Sequence, residues 1–568
     1  MAKRWALWGL FAVLSVAALI SSLGTAFQTL PLNPDMAEMA LIYQGIVHHG
    51  WRFPFTWRFT QDNQILSLLP FALIFYALAG VSGASIIIQG WLIFVVNALL
   101  TGLLVKVATK SWRWAGLAWL LALLASPMAI GQPAILAYPV THNSVWAFGL
   151  LGAYGLIRYL THAGRDPGRP RWALPLVLSC VFIGTVSDPW FDAAFTVPAV
   201  LLAWRSAKWF QIDADTRRAL LKGLILTYIA GRLAYVGLEL LHMVPARSFN
   251  LASPAAMVHH LVLLIKSTAL LLQFYPLPTS LAGWVVWAIY AGSLLSVLIM
   301  GAMAARRLQP STRILAAFAG LSIGVIAAAF VLTGFAQGMI ASRFLINIFY
   351  LSLAVVVAVG ASLWPAKSNV RKPLLVMALV GYTILGAMAV SQAGWRDTAD
   401  LASTKALATF LAKQGLHFGY GPWFRAHAPL ISIATGGAIV IRPVNVKVGF
   451  LSPGYERTYW LYDPHIDRRH IFDPQFVIIP TGGIGWRAAV VRSLGPAETV
   501  ERFHDLTVFI YKHSLLSAMQ QSRQHANAAW AQMNVARNRA AITRIAHTIG
   551  ISPSPIQQAY SWLLAVTA

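Results

Sequence analysis

Only 18 of the 568 residues are Asp or Glu, so each carboxylate is a candidate for chemistry. Two of them, Asp35 and Glu38, stand three apart in Asn33-Pro-Asp-Met-Ala-Glu-Met-Ala-Leu-Ile-Tyr43. Pro34 suits the first turn of a helix and Asn33 its cap. The spacing puts both carboxylates on one helix face. Met36, Met39, Ala40 and Tyr43 form another face, expected to lie on a membrane. A carboxylate held at such a surface can take the proton of an attacking nucleophile. The other reading is that both acids only favour the positive end of the helix.

Further candidates lie at the ends of apolar runs. Ser187-Asp-Pro-Trp-Phe-Asp192 sets two carboxylates, Asp188 and Asp192, around an aromatic pair. With Trp190 they suit the rim of a sugar site, or else they cap the next helix. Tyr138-Pro-Val-Thr-His142-Asn143 offers His142 and Asn143 to a phosphate or a sugar; a plain turn would look the same. Asp62 and Asn63, in Gln61-Asp-Asn-Gln64, suit sugar binding or cap a helix over 65–79. For an anionic group the basic candidates are Arg343 in Ala341-Ser-Arg-Phe-Leu-Ile-Asn347, Lys266 in the apolar stretch His260–Phe274, and Arg58. Arginine suits bidentate contact with phosphate, while each of the three also fits a cation snorkelling from a membrane interface. Arg232 and Glu239 share one apolar run, seven apart. Intramembrane charge is costly; Arg232 is read as stabilising a bundle at mid-depth, and Glu239 as lining a cavity near the outer end.

What must position these residues is a membrane. The chain is 58% hydrophobic and 11% charged, with mean hydropathy +0.64, against about 25% charged for soluble domains. The net charge of +25 follows from Lys and Arg clustered in short loops between apolar runs, as the positive-inside rule requires; nucleic acid is not an expected partner. The N-terminus is placed in the cytoplasm by Lys3 and Arg4. Residues 65–80 are expected to dip into the interface without crossing, which leaves Lys106, Lys110 and Arg113 inside together with every later basic loop. About eleven spans result: 5–27, 84–106, 113–130, 144–161, 173–187, 193–206, 219–242, 281–304, 312–334, 343–364 and 372–391. The transmembrane module is 1–391, with a first periplasmic loop over 28–83. Residues 392–515 read as a small periplasmic α/β domain, with buried strands at Ala438–Ile441, Phe476–Ile479 and Leu506–Tyr511, and 516–568 as a basic helical tail. The stretch Tyr455–Asp463 suits docking of an acceptor or covering of a site. Neither a P-loop, a GxGxxG nor a metal motif stands in this domain. Cys180 is the only cysteine, so no intramolecular disulfide forms. His48-His49 and His259-His260 point apart on a helix and are not expected to bind metal.

One span, an acidic amphipathic helix in a large outer loop, a dipping segment, many more spans and a tail domain: over roughly residues 1–395 this layout resembles the GT-C glycosyltransferases. It is most similar to bacterial members related to protein mannosyltransferases and lipid A aminoarabinose transferase. The resemblance implies transfer of a sugar from a polyprenyl phosphate or diphosphate to a lipid, polysaccharide or protein acceptor at the periplasmic face of a bacterial inner membrane. It implies Asp35 as catalytic base, Glu38 as its reserve, and Arg343-Phe344 as an Arg-aromatic pair near the lipid phosphate. The sequence departs from the pattern twice. Gln61–Gln64 stands where aminoarabinose relatives carry a Lys-Pro-Pro-like stretch. His142-Asn143 stands where relatives often place an Asp, which some use in a metal site. No cofactor is firmly implied, and a divalent metal is not favoured. A transporter or flippase of lipid-linked glycans would show paired repeats with broken helices, and none is visible. A non-catalytic envelope assembly protein stays as an alternative. An acyl or phosphoethanolamine transferase would need a His–Asp pair or a metal-bound nucleophile, and the scattered histidines are not expected to form one.

Overall fold

The computed structural model describes residues 2–30, 32–124, 135–140, 142–162, 171–247, 250–274, 280–303, 308–336, 338–364, 371–392, 401–424, 426–453 and 474–548. The expected basic loops around 163–170, 304–307 and 365–370, and the aromatic stretch Tyr455–Asp463, lie outside the described residues. The chain divides into two compact units, Met1–Leu401 and Ala402–Ala568.

The first unit is helical. Its long elements are α1 (Ala2–Thr29), α2 (Glu38–His49), α3 (Leu69–Ala79), α4 (Gly83–Thr109), α5 (Trp112–Leu124), α6 (His142–Thr161), α7 (Ala173–Ser187), α8 (Val197–Phe210), α9 (Ala214–Leu240), α10 (Pro254–Leu271), α11 (Leu281–Met303), α12 (Pro310–Leu332), α13 (Ile346–Leu363) and α14 (Arg371–Gln392). Among the described residues seven helices are long and apolar enough to cross a membrane: Gly9–Thr29, α4, α9, α10, α11, α12 and Met339–Leu363. Six of the eleven expected spans are among them, α10 being the seventh helix: α5, α7 and, over Val376–Met388, α14 are shorter apolar helices, and α6 and α8 are 20 and 14 residues long. At the helical rise α3 is about 16 Å long, half of a bilayer core, as expected of the segment that dips.

Helix α10 falls in a stretch read as an outer loop, yet it is long enough to cross. Its contacts explain this. Ala252 donates to the carbonyl of Leu332, and the His260 ring, a turn and a half into the helix, still meets the Val331 carbonyl. Beyond its other end, Gln273 lies against Gly386 of α14 and beside Leu124 of α5. α10 thus meets the C-terminal end of α12 near its own start and α14 beyond its own end.

The short α2 region also differs from expectation. Met36, Met39 and Ala40 are fully buried, so the apolar face read as lying on the membrane packs inside the protein. Apolar spacing identifies a buried face without saying whether lipid or protein covers it.

The second unit is a mixed six-stranded sheet in the order β3-β2-β1-β4-β6-β5. Its elements are α15 (Ala402–Lys413), β1 (Phe418–Gly421), α16 (Ala428–Ala434), β2 (Val440–Lys447), β3 (Phe450–Pro453), β4 (Gln475–Pro480), α17 (Trp486–Leu494), β5 (Thr499–Phe503), β6 (Leu506–Tyr511) and α18 (Leu516–Thr548). β1 pairs in parallel with β2 and β4, and the remaining pairs are antiparallel. β4 is buried on both faces: Val477 and Ile479 pack with Val490 and Met519, Phe476 and Ile478 with Leu411 and Ile431. That is why its sequence is a continuous apolar run rather than an alternating one. The unit continues beyond residue 515. Ser522 donates to the Leu451 carbonyl at 2.5 Å, so the helix that opens the basic tail starts inside the domain.

Candidate active site

Asn33 organises the first loop. Its side-chain oxygen accepts from the amides of Asp35 and Met36 at 3.1 and 3.3 Å, the capping geometry that its position before Pro34 demands. The same oxygen accepts from the Tyr138 hydroxyl at 2.8 Å. A 3-10 turn, Pro34–Ala37, thus carries Asp35 and runs into α2 at Glu38. Both carboxylates are buried, and Glu38 accepts from the Trp57 indole at 3.2 Å.

Tyr138 belongs to the turn before α6. Asn143 braces that turn, donating to the carbonyls of Ile135 and Tyr138, while its own carbonyl accepts from Asn97 of α4 at 3.0 Å. Gly90 of α4 lets the turn approach: a Cβ there would stand 2.0 Å from the Ala137 oxygen. The amide nitrogen of Asn143 therefore holds backbone, while its Oδ1 is buried with no hydrogen-bond partner among the described residues. Asn63 has a similar duty. It donates to the Val186 carbonyl at 2.8 Å and accepts from the Ile65 amide, tying the first loop to the end of α7. Asp62 beside it is half-buried.

The end of α7 presents Asp188, and here the structure corrects the sequence reading. The scattered histidines were not expected to form a His–Asp pair, yet His142 Nδ1, at the start of α6, meets a carboxylate oxygen of Asp188. The other oxygen accepts the Trp190 amide at 2.8 Å. The partners are 46 residues apart, and no local pattern could announce them. Around them an aromatic cluster closes. Phe344 stacks on Trp190 at 4.6 Å and lies 4.8 Å from the His142 ring. The Arg343 guanidinium sits 5.2 Å from the Phe344 ring. Arg343 has no carboxylate within ion-pair distance among the described residues. His142, Asp188, Trp190 and Arg343, four candidates from three segments, are thus assembled at one place.

Asp192 faces elsewhere. It accepts from the hydroxyls of Thr185 and Thr196 and pairs with Arg247 at 3.5 Å, so the two carboxylates do not form an open rim around the aromatic pair. Arg247 was missed in the sequence. It is nearly inaccessible, lies 3.9 Å over the Tyr235 ring and donates to the Thr185 carbonyl. Its only signal was being one of two cations, with Lys266, in an outer stretch poor in charge. The structure does not gather every candidate. Lys266 is exposed on α10. Glu239 is half-buried one turn beyond Tyr235 and makes no ion pair among the described residues. Arg58 is half-buried between Trp57 and Phe59, both buried. No group of three or more His, Cys, Asp or Glu converges as a metal site among the described residues.

The architecture is thus a bundle of apolar helices, seven of them long enough to cross a membrane among the described residues, with buried carboxylates in its first loop, followed by a unit built on a six-stranded mixed sheet. The solved structure of ArnT from Cupriavidus metallidurans bound to undecaprenyl phosphate shares it, with a TM-score of 0.55 and 12% identity over 90% of this chain and 98% of that one. The same protein in the apo state matches with a TM-score of 0.52, at 12% identity and the same coverage. No protein family and no curated protein matches the sequence itself.

Proposed function

We propose that this chain is an inner-membrane glycosyltransferase. It moves a sugar from a polyprenyl-phosphate-type donor to an acceptor at the periplasmic face. The observation that carries the reading is Arg343: a half-buried guanidinium with no acidic partner among the described residues, set beside an aromatic cluster in a fold shared with an undecaprenyl-phosphate-bound protein. Arg343 receives the donor phosphate, where its charge favours the leaving group. Asp35 takes the proton of the acceptor as its oxygen or nitrogen attacks the anomeric carbon, and the electron pair of the broken C–O bond passes to the phosphate. Glu38, held by Trp57, stands one turn on.

The test is Asp35→Asn in purified enzyme, assayed by sugar release from a panel of polyprenyl-phosphate sugars. A general base contributes about 10²–10⁴-fold, and a loss in that range is expected. An unchanged rate overturns the assignment of Asp35. The His142–Asp188 pair raises the rival reading of a transferase with a protein nucleophile. No hydroxyl or thiol among the described residues bonds to His142 Nε2, so none of them is placed as a nucleophile for the pair to activate.

A further inference from the structure

Four aromatic residues after α2 alternate between inside and outside. Trp51 and Phe55 are 72% and 68% exposed, while Phe53 and Trp57 are 4% and 1% exposed. The turn that carries them accounts for the pattern. α2 ends against Gly50 at φ 79°, and a 3-10 turn follows over Phe53–Thr56. The amides of Phe53, Phe55 and Trp57 donate to the carbonyls of Gly50, Arg52 and Pro54 at 3.0, 3.2 and 3.3 Å. The turn thus satisfies its own backbone donors, as a segment shielded from water must. Phe53 lies over Gly45, where a Cβ would stand 2.1 Å from its ring. Trp57 gives its indole N–H to Glu38. The inward pair is therefore committed to the first loop, and the outward pair is turned away from the protein.

The surroundings of the outward pair are apolar and basic. Val47, in the last turn of α2, is exposed, as are His48, His49 and Arg52. No acidic residue stands between Glu38 and Asp62. An exposed apolar surface of this kind calls for a partner, and the neighbouring helix indicates which. Tyr43 of α2 packs against Tyr76 of α3 with ring centroids 6.1 Å apart. The Tyr76 hydroxyl donates to Gln89 of α4 at 2.6 Å. Gln89 lies about 9 Å along α4 from its start at Gly83, and α4 is long and apolar enough to cross a membrane. The middle of α3 is thus level with the hydrocarbon beside α4. Its buried side carries Ala72 and Tyr76; its other side exposes Phe71, Ile74 and Leu78 at helical spacing. Lipid chains suit that stripe.

We propose that Val47, Trp51, Arg52 and Phe55 form a seat for the headgroup layer of the leaflet on the side of the first loop, and that this seat prefers anionic phospholipid. Trp51 and Phe55 enter the layer where amphipathic aromatic rings concentrate. The Arg52 guanidinium, between them in the chain, meets lipid phosphate. The face of the first loop that touches lipid is then this turn, and not the Met36–Met39 face, which packs inside. The inner half of the same turn braces Glu38, so the lipid seat and a buried carboxylate share one hydrogen-bonded segment.

The test places a bimane dye on Phe55→Cys in the full-length protein, held in nanodiscs of phosphatidylcholine and phosphatidylglycerol. Cys180 is buried, so the dye attaches at position 55. Two quenchers are compared: iodide in the water, and phospholipid carrying a nitroxide high on its acyl chain. The lipid quencher should remove most of the fluorescence and iodide little of it. At equal mole fraction, nitroxide-labelled phosphatidylglycerol should quench more than the phosphatidylcholine analogue, because one arginine at the surface enriches anionic lipid up to about fivefold. Arg52→Gln should remove most of that difference. Quenching by iodide alone puts the turn in water and overturns the proposal. Protection from both quenchers means that protein covers the turn, a partner or a second copy, and also overturns it. Equal quenching by the two lipids overturns the preference for anionic headgroups. The same dye on Trp51→Cys repeats the measurement should Phe55→Cys fold poorly. None of these outcomes depends on sugar transfer, so the function proposed above is tested separately.

Discussion

Replacing Arg247 by methionine would strand a carboxylate. Arg247 and Asp192 have side chains only 3% and 16% exposed, with an N···O separation of 3.5 Å. At an effective dielectric near 20, that separation corresponds to about 5 kcal/mol of gross attraction, before the cost of desolvating both ions. Breaking one side of such a pair costs about 3–5 kcal/mol, because the remaining charge stays buried. The hydroxyls of Thr185 and Thr196 still serve Asp192, so the lower end, about 3 kcal/mol, is expected here. Methionine keeps contact with the Tyr235 ring and isolates the charge. In detergent the apparent melting temperature should drop by roughly 5 °C, given the size scaling of unfolding entropy. Asp192→Asn in the same background removes the stranded charge and should recover much of the loss. A double-mutant cycle then gives a coupling of about 1–3 kcal/mol. Additive effects, or a melting temperature for Arg247→Met within a degree of wild type, would refute the argument that the pair clamps residues 243–247 onto the end of α7.

Two further outcomes follow from close contacts near the site. Gly90→Val should abolish folded protein or displace the turn before α6, since even a Cβ would meet the Ala137 oxygen at 2.0 Å; yield and monodispersity on gel filtration check this. Ser322→Ala should cost about 2 kcal/mol, measured by thermal melting, because it leaves the buried Ala194 carbonyl and the Asn347 amide without their shared hydroxyl.

The sequence was most informative where local rules govern. Asn33 before Pro34 caps a turn in the structure as it must, and the short segment at 65–80 forms a helix too short to cross. Segment length and capping chemistry depend only on neighbours in the chain. The His142–Asp188 and Asp192–Arg247 pairs were not legible, because each joins residues some fifty positions apart. The same limit explains the apolar face of α2. Hydrophobic spacing finds the buried side of a helix, and only tertiary packing decides whether lipid or protein covers it.

One chain of contacts ties a sequence feature outside the site to its chemistry. Pro198, at the start of α8, has no N–H to give to the carbonyl four residues back, and the preceding turn widens into a π-helix over Asp192–Thr196. The freed carbonyl of Ala194 would be an orphan in a buried position. Ser322 of α12 supplies its partner at 2.5 Å, and the same hydroxyl accepts from Asn347 at 3.0 Å. Asn347 is thereby fixed with no partner for its Oδ1 among the described residues, in the lining of a cavity that His142 also lines. A helix-breaking residue thus leads, through one serine, to an amide held beside the imidazole. The π-turn has a second effect: it starts at Asp192, the carboxylate that anchors Arg247. Two buried polar contacts, Ser322 with the Ala194 carbonyl and Arg247 with Asp192, thus hold the turn that follows Asp188 and Trp190.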